Sequence, residues 1–423
     1  MDITTLDLNQ EALYALAANL EDSVLLNSCG SVLLGRYTIF TALPCDECDS
    51  IDALASTAKN SRLDLAETGR DIPRLPFTSG WIGIYAYTSE LKARYYTWSY
   101  VYDRREKQGY LAFSDECPDS KRTVVLSSIE LAKKQMHLEH KKETPKRAFN
   151  TLSWNKSQTK DQYFNSFSKL QNYILSGDCY QANLTQRFEA DCSWSKLELV
   201  EAYAQACKNS NANFCAFIDL GNDDAIVSIS PEQFIHCQDR IITTKPIKGT
   251  VKSSGQLTAP QRLELQNSKN KAENLMIVDL LRNDLSKVSQ LNSVQVARLF
   301  SIESYENVHH LVSTISSTLQ ETFSPLDAFI EAFPGGSITG APKKRAMEII
   351  EELELHSRMS YCGSVFYIDE QGNLDSNILI RTIQKQGEKA YCWGGGGIVA
   401  DSNMESEYQE SIDKVRHLTG IDE

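Results

Sequence analysis

Phe333-Pro334-Gly335-Gly336-Ser337-Ile338-Thr339-Gly340-Ala341-Pro342-Lys343 joins a glycine-rich turn to a segment in which Ala346, Ile349, Ile350 and Leu353 recur at helical spacing. Pro342 falls near the first helical turn, where its missing N–H costs nothing. Glycines that run into a helix start suit an anion, because free N–H groups and the helix dipole favour negative charge there. A nucleotide loop is excluded, since Gly340 is followed by Ala341 and Pro342 and not by Lys and Ser or Thr. The stretch reads as a substrate-site loop with Ser337 and Thr339 as hydroxyl contacts. Downstream, Tyr361 to Ile368 and Asn377 to Ile383 read as strands, and Ser402 with Glu405 offers a capping box for a helix through Val415. The class is therefore mixed α and β.

Three further features carry chemistry. Lys248 lies in Lys245-Pro246-Ile247-Lys248-Gly249-Thr250, after the β-branched run Ile241, Ile242, Thr243 and Thr244 that reads as a strand leading into a turn. A lysine held there is a candidate nucleophile if burial or a nearby cation lowers its pKa from about 10.4. Arg381 stands in an apolar run (Ile378, Leu379, Ile380, then Thr382 and Ile383), where a charged side chain needs a partner and its planar fork suits a carboxylate. Glu407 and Glu410 are three apart on the helix after Ser402 and share a face, while Glu273 sits on another helical stretch beside Asn274.

The 423 residues suffice for two or three ordinary domains or one large one, and 41% hydrophobic composition allows a substantial core. A formal net charge of -13 argues against a nucleic-acid surface. An acidic protein that binds an anion must concentrate positive charge or a metal locally. The opening Met1-Asp2-Ile3-Thr4-Thr5 has no basic region or apolar run of a secretory signal, and no apolar stretch approaches the roughly 20 residues that span a bilayer. The 11 cysteines are scattered without a framework, as expected of free thiols in a reducing cytoplasm. Cys45 and Cys48 form a lone Cys-x-x-Cys without the four ligands of a structural zinc.

Cys179-Tyr180-Gln181-Ala182-Asn183-Leu184-Thr185-Gln186-Arg187-Phe188, Ala272-Glu273-Asn274-Leu275-Met276-Ile277-Val278-Asp279-Leu280, the Phe333–Lys343 stretch and Gly395-Gly396-Gly397-Ile398-Val399-Ala400-Asp401-Ser402 resemble, in order, the blocks of the chorismate-utilising anthranilate synthase component I family. The Lys248 hexapeptide resembles the signature of its aminodeoxychorismate synthase component I branch; the anthranilate synthase branch usually carries alanine at the lysine position. The resemblance implies an α+β fold, two large antiparallel β-sheets packed face to face and flanked by helices. It divides the chain into an N-terminal lobe over 1-140 and a chorismate-binding catalytic domain over 160-418, with a polar connection over 140 to 162. It implies amination of chorismate at ring carbon 4, giving 4-amino-4-deoxychorismate for 4-aminobenzoate and folate. Anthranilate synthesis and a non-catalytic chorismate-binding protein are the alternatives.

Carried over residue by residue, the resemblance makes Lys248 the nucleophile and Glu232 the acid that protonates the leaving hydroxyl. Glu273 and Glu410 become ligands of Mg2+, with Glu407 close by to hold a metal-bound water, in keeping with a hard cation's preference for oxygen. Tyr361 and Arg381 correspond to a clamp on the enolpyruvyl carboxylate, and Gly396 and Gly397 to backbone donors for the ring carboxylate. Thr250 and His310 join Ser337 and Thr339 as polar contacts in the same pocket. Gln181 stands where water-using relatives carry a lysine, which points to ammonia as nucleophile. The chain has no recognisable glutaminase Cys/His/Glu unit, so ammonia is expected from a separate glutamine amidotransferase subunit. Leu25-Leu26-Asn27-Ser28 resembles a segment lining a tryptophan pocket in relatives, which places Ser28 at a tryptophan site. Asn211-Ala212-Asn213-Phe214 lacks the proline of the usual version of that site. Asn270 replaces an acid that many relatives carry near the metal.

Overall fold

The glycine-rich strand Lys389–Ile398 lies beside Gln181–Asp191, with Gly394 to Gly397 facing Gln186 to Asn183 in register. This hairpin-like pair belongs to a 12-stranded sheet, in which Asp2–Thr5, Gln108–Phe113, Trp98–Asp103, Tyr37–Thr41, Val24–Asn27, Phe214–Gly221, Asp224–Ser230, Thr382–Gln386, Lys389–Ile398, Gln181–Asp191 and Gly340–Ala341 follow in that order, while Asn155–Lys156 also pairs with Gln181–Asp191. The second sheet has 10 strands: Ile247–Lys252, Val308–Thr318, Ile241–Thr244, Gln233–Gln238, Leu374–Asn377, Ser364–Asp369, Gly80–Tyr85, Leu91–Tyr96 and Asp46–Cys48, with Gln295–Tyr305 against Val308–Thr318. The strand pairings among the described residues are antiparallel. The computed structural model describes residues 1–60, 74–138, 147–252, 255–305 and 308–422.

Three apolar layers hold the sheets. Val24, Ile39, Val101 and Ile218 of the first sheet meet Ile82, Ile84 and Val365 of the second, so the sheets pack face to face. Helices cover the outer faces: Leu13, Phe167, Tyr203, Ile349 and Ile412 lie on the first sheet, and Ile277, Leu281 and Phe329 on the second. This is the α+β architecture expected from the sequence. Strands from residues 1–140 and from residues 160–418 pair within both sheets, as Val24–Asn27 does with Phe214–Gly221 and Gly80–Tyr85 with Ser364–Asp369. Of the connection expected over 140 to 162, residues 139–146 lie outside the described residues; the remainder enters the helix Lys160–Leu175.

Four local expectations change. Asn377 to Ile383 is not one strand: Leu374–Asn377 belongs to the second sheet and Thr382–Gln386 to the first, so Ile378 to Arg381 carries the chain across between them. Arg381 there takes a left-handed φ of 51°, an uncommon conformation for a non-glycine residue. The strand expected from Tyr361 begins at Ser364, leaving Tyr361 in the turn that pairs with the crossing segment through Cys362 N–H to Leu379 O and Leu379 N–H to Gly363 O, both 2.8 Å. Lys248 stands on a strand, Ile247–Lys252, with a bulge between Lys248 and Thr250 where Gly249 has φ 78°. The helix expected after Ser402 runs Met404–Thr419 and is capped by Asn403, whose side chain accepts from Ser406 N–H. Ser402 and Glu405 form no capping box because the helix begins one residue later; the Ser402 hydroxyl accepts from Val399 N–H at 3.1 Å and donates to Glu407 Oε1 at 2.7 Å.

Candidate active site

Lys248 projects from its bulged strand toward the helix Ser268–Ser286, and its Nζ lies 3.9 Å from Glu273 Oε2. Burial lowers the Lys248 pKa, aided by Lys414 and opposed by Glu273, Glu232 and Glu410. Glu232 is only 6% exposed, and burial raises its carboxyl to about 7 against the pull of Ser337, Lys248, Lys414 and the Ile247 amide. Lys248 and Glu232, sixteen residues apart with the strands Gln233–Gln238 and Ile241–Thr244 between them, thus share one electrostatic environment. A carboxyl with its pKa raised near an amine with its pKa lowered is a pattern that clusters at functional sites.

The acids form the next layer. Glu407 is buried, with Oε1 held by Ser402 and 3.7 Å from Lys269 Nζ; burial raises its pKa. For Glu410, burial opposes ionisation, but Lys414 at 2.7 Å, Lys269 and Lys248 together lower the pKa. A Cβ on Gly396 would come within 3.0 Å of Glu407 Oε2 and 3.2 Å of Glu410 Oε1, so the glycine strand and both acids meet at that point. Each of the three acids has a lysine opposite it: Glu273 with Lys248, Glu407 with Lys269, Glu410 with Lys414. The donor set is carboxylate oxygen throughout, the chemistry a hard cation prefers, but among the described residues Glu273, Glu407 and Glu410 do not all come within 4.8 Å of one another. Asn270 stays out of this layer: its amide donates to Glu264 O and Leu265 O, and it packs against Gly249.

On the anion side, no hydrogen bond or ion pair among the described residues reaches the Arg381 guanidinium, and burial lowers its pKa. Tyr361 is buried and its ring stacks on Trp393, centroids 5.8 Å apart and planes 9° apart. Thr250 Oγ1 lies 2.9 Å from His310 Nδ1, and burial with Arg381 and His309 depresses the His310 pKa to about 4, so the ring is neutral at pH 7. Ser337 faces Glu232. Thr339 departs from expectation: it is wholly buried and its hydroxyl donates to Gly335 O at 2.9 Å, so it shapes the loop. Gln181 is buried at 1% exposure with both amide atoms unpartnered among the described residues, and its Nε2 lies 2.3 Å from where a Cβ on Gly397 would stand.

Sequence reasoning missed Lys269, Lys414 and Ser402. Lys414, four residues after Glu410 on one helix, was the legible one; Ser402 reaches Glu407 five residues on at the same helix start, and Lys269 reaches it through tertiary placement alone. Ser28 is buried beside Asn213 and supports the backbone N–H of Gly30, next to a cavity of about 620 Å³ lined by Leu26, Asn27, Asn213, Phe214 and Tyr367 but not by Ser28 itself. None of the candidate catalytic or metal residues lines that cavity.

Residues 84–420 match the chorismate binding enzyme family, and the chain belongs to it. Among proteins it is similar to, aminodeoxychorismate synthase component 1 of Escherichia coli is 46% identical over 298 residues, 70% of this chain and just under two thirds, 65%, of that relative's length. The Klebsiella aerogenes protein of the same name is 40% identical over 82% of this chain and 78% of its own. Anthranilate synthase component I from Streptococcus pneumoniae superposes with a TM-score of 0.76 at 26% identity, over 90% of this chain and 91% of that one. Among the described residues no helix is long and apolar enough to cross a membrane.

Proposed function

We propose that this chain is the chorismate-aminating component of an aminodeoxychorismate synthase, taking chorismate and ammonia to 4-amino-4-deoxychorismate. The observation that carries this reading is Lys248, a half-buried lysine whose pKa desolvation lowers, 3.9 Å from Glu273 and within the field of Glu232. Arg381 and Tyr361 bind the enolpyruvyl carboxylate, and the Gly396 and Gly397 amides bind the ring carboxylate, each desolvated anion meeting a fixed donor. The neutral Lys248 amine attacks ring carbon 2 as the two conjugated ring double bonds each shift by one bond and the carbon 4 to oxygen bond breaks. Glu232 gives its proton to the departing hydroxyl, which leaves as water. Ammonia then forms the bond to carbon 4, both double bonds return, and the carbon 2 to Nζ bond breaks, with the surplus ammonia proton passing to the Glu232 carboxylate. Mg2+, held by Glu273 and Glu410 with Glu407 on a bound water, would supply positive charge to the ring carboxylate.

Gln181, uncharged and unable to act as a base, suits a site that admits ammonia without activating water. A glutamine amidotransferase subunit supplies the ammonia, and free ammonium substitutes for it in the assay. The test is the product from chorismate, ammonium and magnesium at mildly alkaline pH, followed by mass spectrometry with and without an added aminodeoxychorismate lyase. 4-Aminobenzoate appearing only with the lyase supports the proposal; anthranilate overturns it, as does chorismate binding without any amine product.

A further inference from the structure

None of the 11 cysteines is in a disulfide, and three of them converge away from the active site. Cys29 follows the strand Val24–Asn27, Cys207 lies in the last turn of the helix Lys196–Lys208, and Cys215 is the second residue of the strand Phe214–Gly221. Their sulfurs all lie within 4.8 Å of one another, and Cys29 Sγ is 3.6 Å from Cys215 Sγ. No fourth His, Cys, Asp or Glu ligand atom joins them among the described residues. Cys207 and Cys215 are buried; Cys29 is half-buried and gives the cluster its one side toward solvent.

The surroundings hold the trio in place. Cys29 N–H and Gly30 N–H both donate to Ala212 O, at 2.8 and 3.0 Å, so the Cys29 loop is fastened to the turn that leads into Cys215. Arg104 donates to Gly35 O and Gly30 O, which closes the same loop and places a cation beside the sulfurs. Tyr14 packs edge-on against Tyr203 at 6.2 Å, and the Tyr203 hydroxyl bonds Asn27. Hydrogen bonds from the other two thiols, reinforced by Arg104, lower the Cys29 pKa, while Cys207 and Cys215 are raised, Cys207 chiefly by burial and Cys215 chiefly by its two thiol neighbours.

A thiophilic ion about 2.3 Å from each of three sulfurs sets those sulfurs about 4 Å apart in a trigonal plane, which the observed spacing matches. Structural zinc requires a fourth ligand that is absent from the cluster, and soft thiolates select Cu(I). We infer that Cys29, Cys207 and Cys215 form a three-thiolate binding site for a soft monovalent cation of the Cu(I) class, separate from the chorismate site. Binding displaces the remaining thiol protons to solvent, so affinity rises with pH.

The test uses the reduced full chain under anaerobic conditions, with Cu(I) presented in a chromophoric Cu(I) chelator. The wild type is expected to withdraw one Cu(I) per chain, and X-ray absorption to show three sulfurs at a single distance. Cys29→Ser, a conservative change at the half-buried position, should weaken retention at least tenfold; Cys45→Ser, at the exposed cysteine outside the cluster, should leave it unchanged. Circular dichroism and thermal melting of each variant separate lost binding from lost folding, and Cu(I) should raise the melting temperature of the wild type but not of Cys29→Ser. Failure of the wild type to compete with the chelator, equal retention by Cys29→Ser, or a shell of fewer than three sulfurs overturns the inference, as does a Cys29–Cys215 disulfide as the only product.

Discussion

Burial moves Glu232 and Lys248 toward each other on the pH scale, the carboxyl rising to about 7 while the amine falls below its ordinary 10.5. The proposed chemistry needs the first protonated and the second neutral, so at fixed free ammonia kcat/KM should trace a bell with one limb near pH 7 and the other below 10.5. Glu232→Gln should abolish the limb near pH 7 and cost on the order of 10²- to 10⁴-fold in rate; a limb that persists in the variant belongs to another group. The same shift has a stability consequence. Because the folded-state pKa is raised, the stability Glu232 carries is complete below about pH 4.5 and is lost as pH rises through 7. Glu232→Gln should therefore melt higher than wild type at pH 8, by the equivalent of about 3 kcal/mol at most, with the gap closing toward pH 4. Among the described residues nothing pairs with the Arg381 guanidinium, so Arg381→Lys should raise KM for chorismate about 10- to 100-fold with a smaller effect on kcat. Steady-state kinetics decide whether the loss falls on KM or kcat.

At the scale of elements, the glycine strand and the helix Met404–Thr419 touch where Gly396 meets Glu407 and Glu410. Gly396→Ala should push the two carboxylates aside and raise the magnesium requirement about tenfold or more, read from turnover against magnesium concentration; an unchanged requirement would separate these acids from the metal. The sequence made the glycines, the acid pair and the strand Ile241–Thr244 before Lys248 legible because each is a local pattern: an unbranched run, an i, i+3 pair, a β-branched run; that Lys248 itself stands on the next strand was not. Arg381 was legible as a charged residue in apolar company, but its place on a crossing between two sheets was not, since Ile378 to Ile383 has the composition of a strand throughout. Ser402 fitted a local rule for capping, but Asn403 accepts the helix's free N–H instead, and the Ser402 hydroxyl donates to the buried Glu407 carboxylate. Thr339 likewise read as a free hydroxyl and is occupied by Gly335 O.

Across the whole molecule, the two sheets are built from both ends of the chain. Residues 160–422 expressed alone would leave Phe214–Gly221 without Val24–Asn27 and Ser364–Asp369 without Gly80–Tyr85, opening an unpaired edge in each sheet. Such a fragment should aggregate, and coexpression with residues 1–140 should recover soluble material on size-exclusion chromatography; a soluble, monomeric 160–422 would contradict this. The fold became legible through motifs concentrated after residue 160, whereas the pairing of the early strands rests on long-range register that no local pattern encodes. The antiparallel partnership of Val24–Asn27 with Phe214–Gly221 also sets a schedule for biosynthesis. At roughly 5 to 20 residues per second, the early strand leaves the ribosome about 10 to 40 s before its neighbour is made, so the nascent chain must pass that interval with a sticky edge exposed, and chaperone cover or fast elongation would limit the hazard.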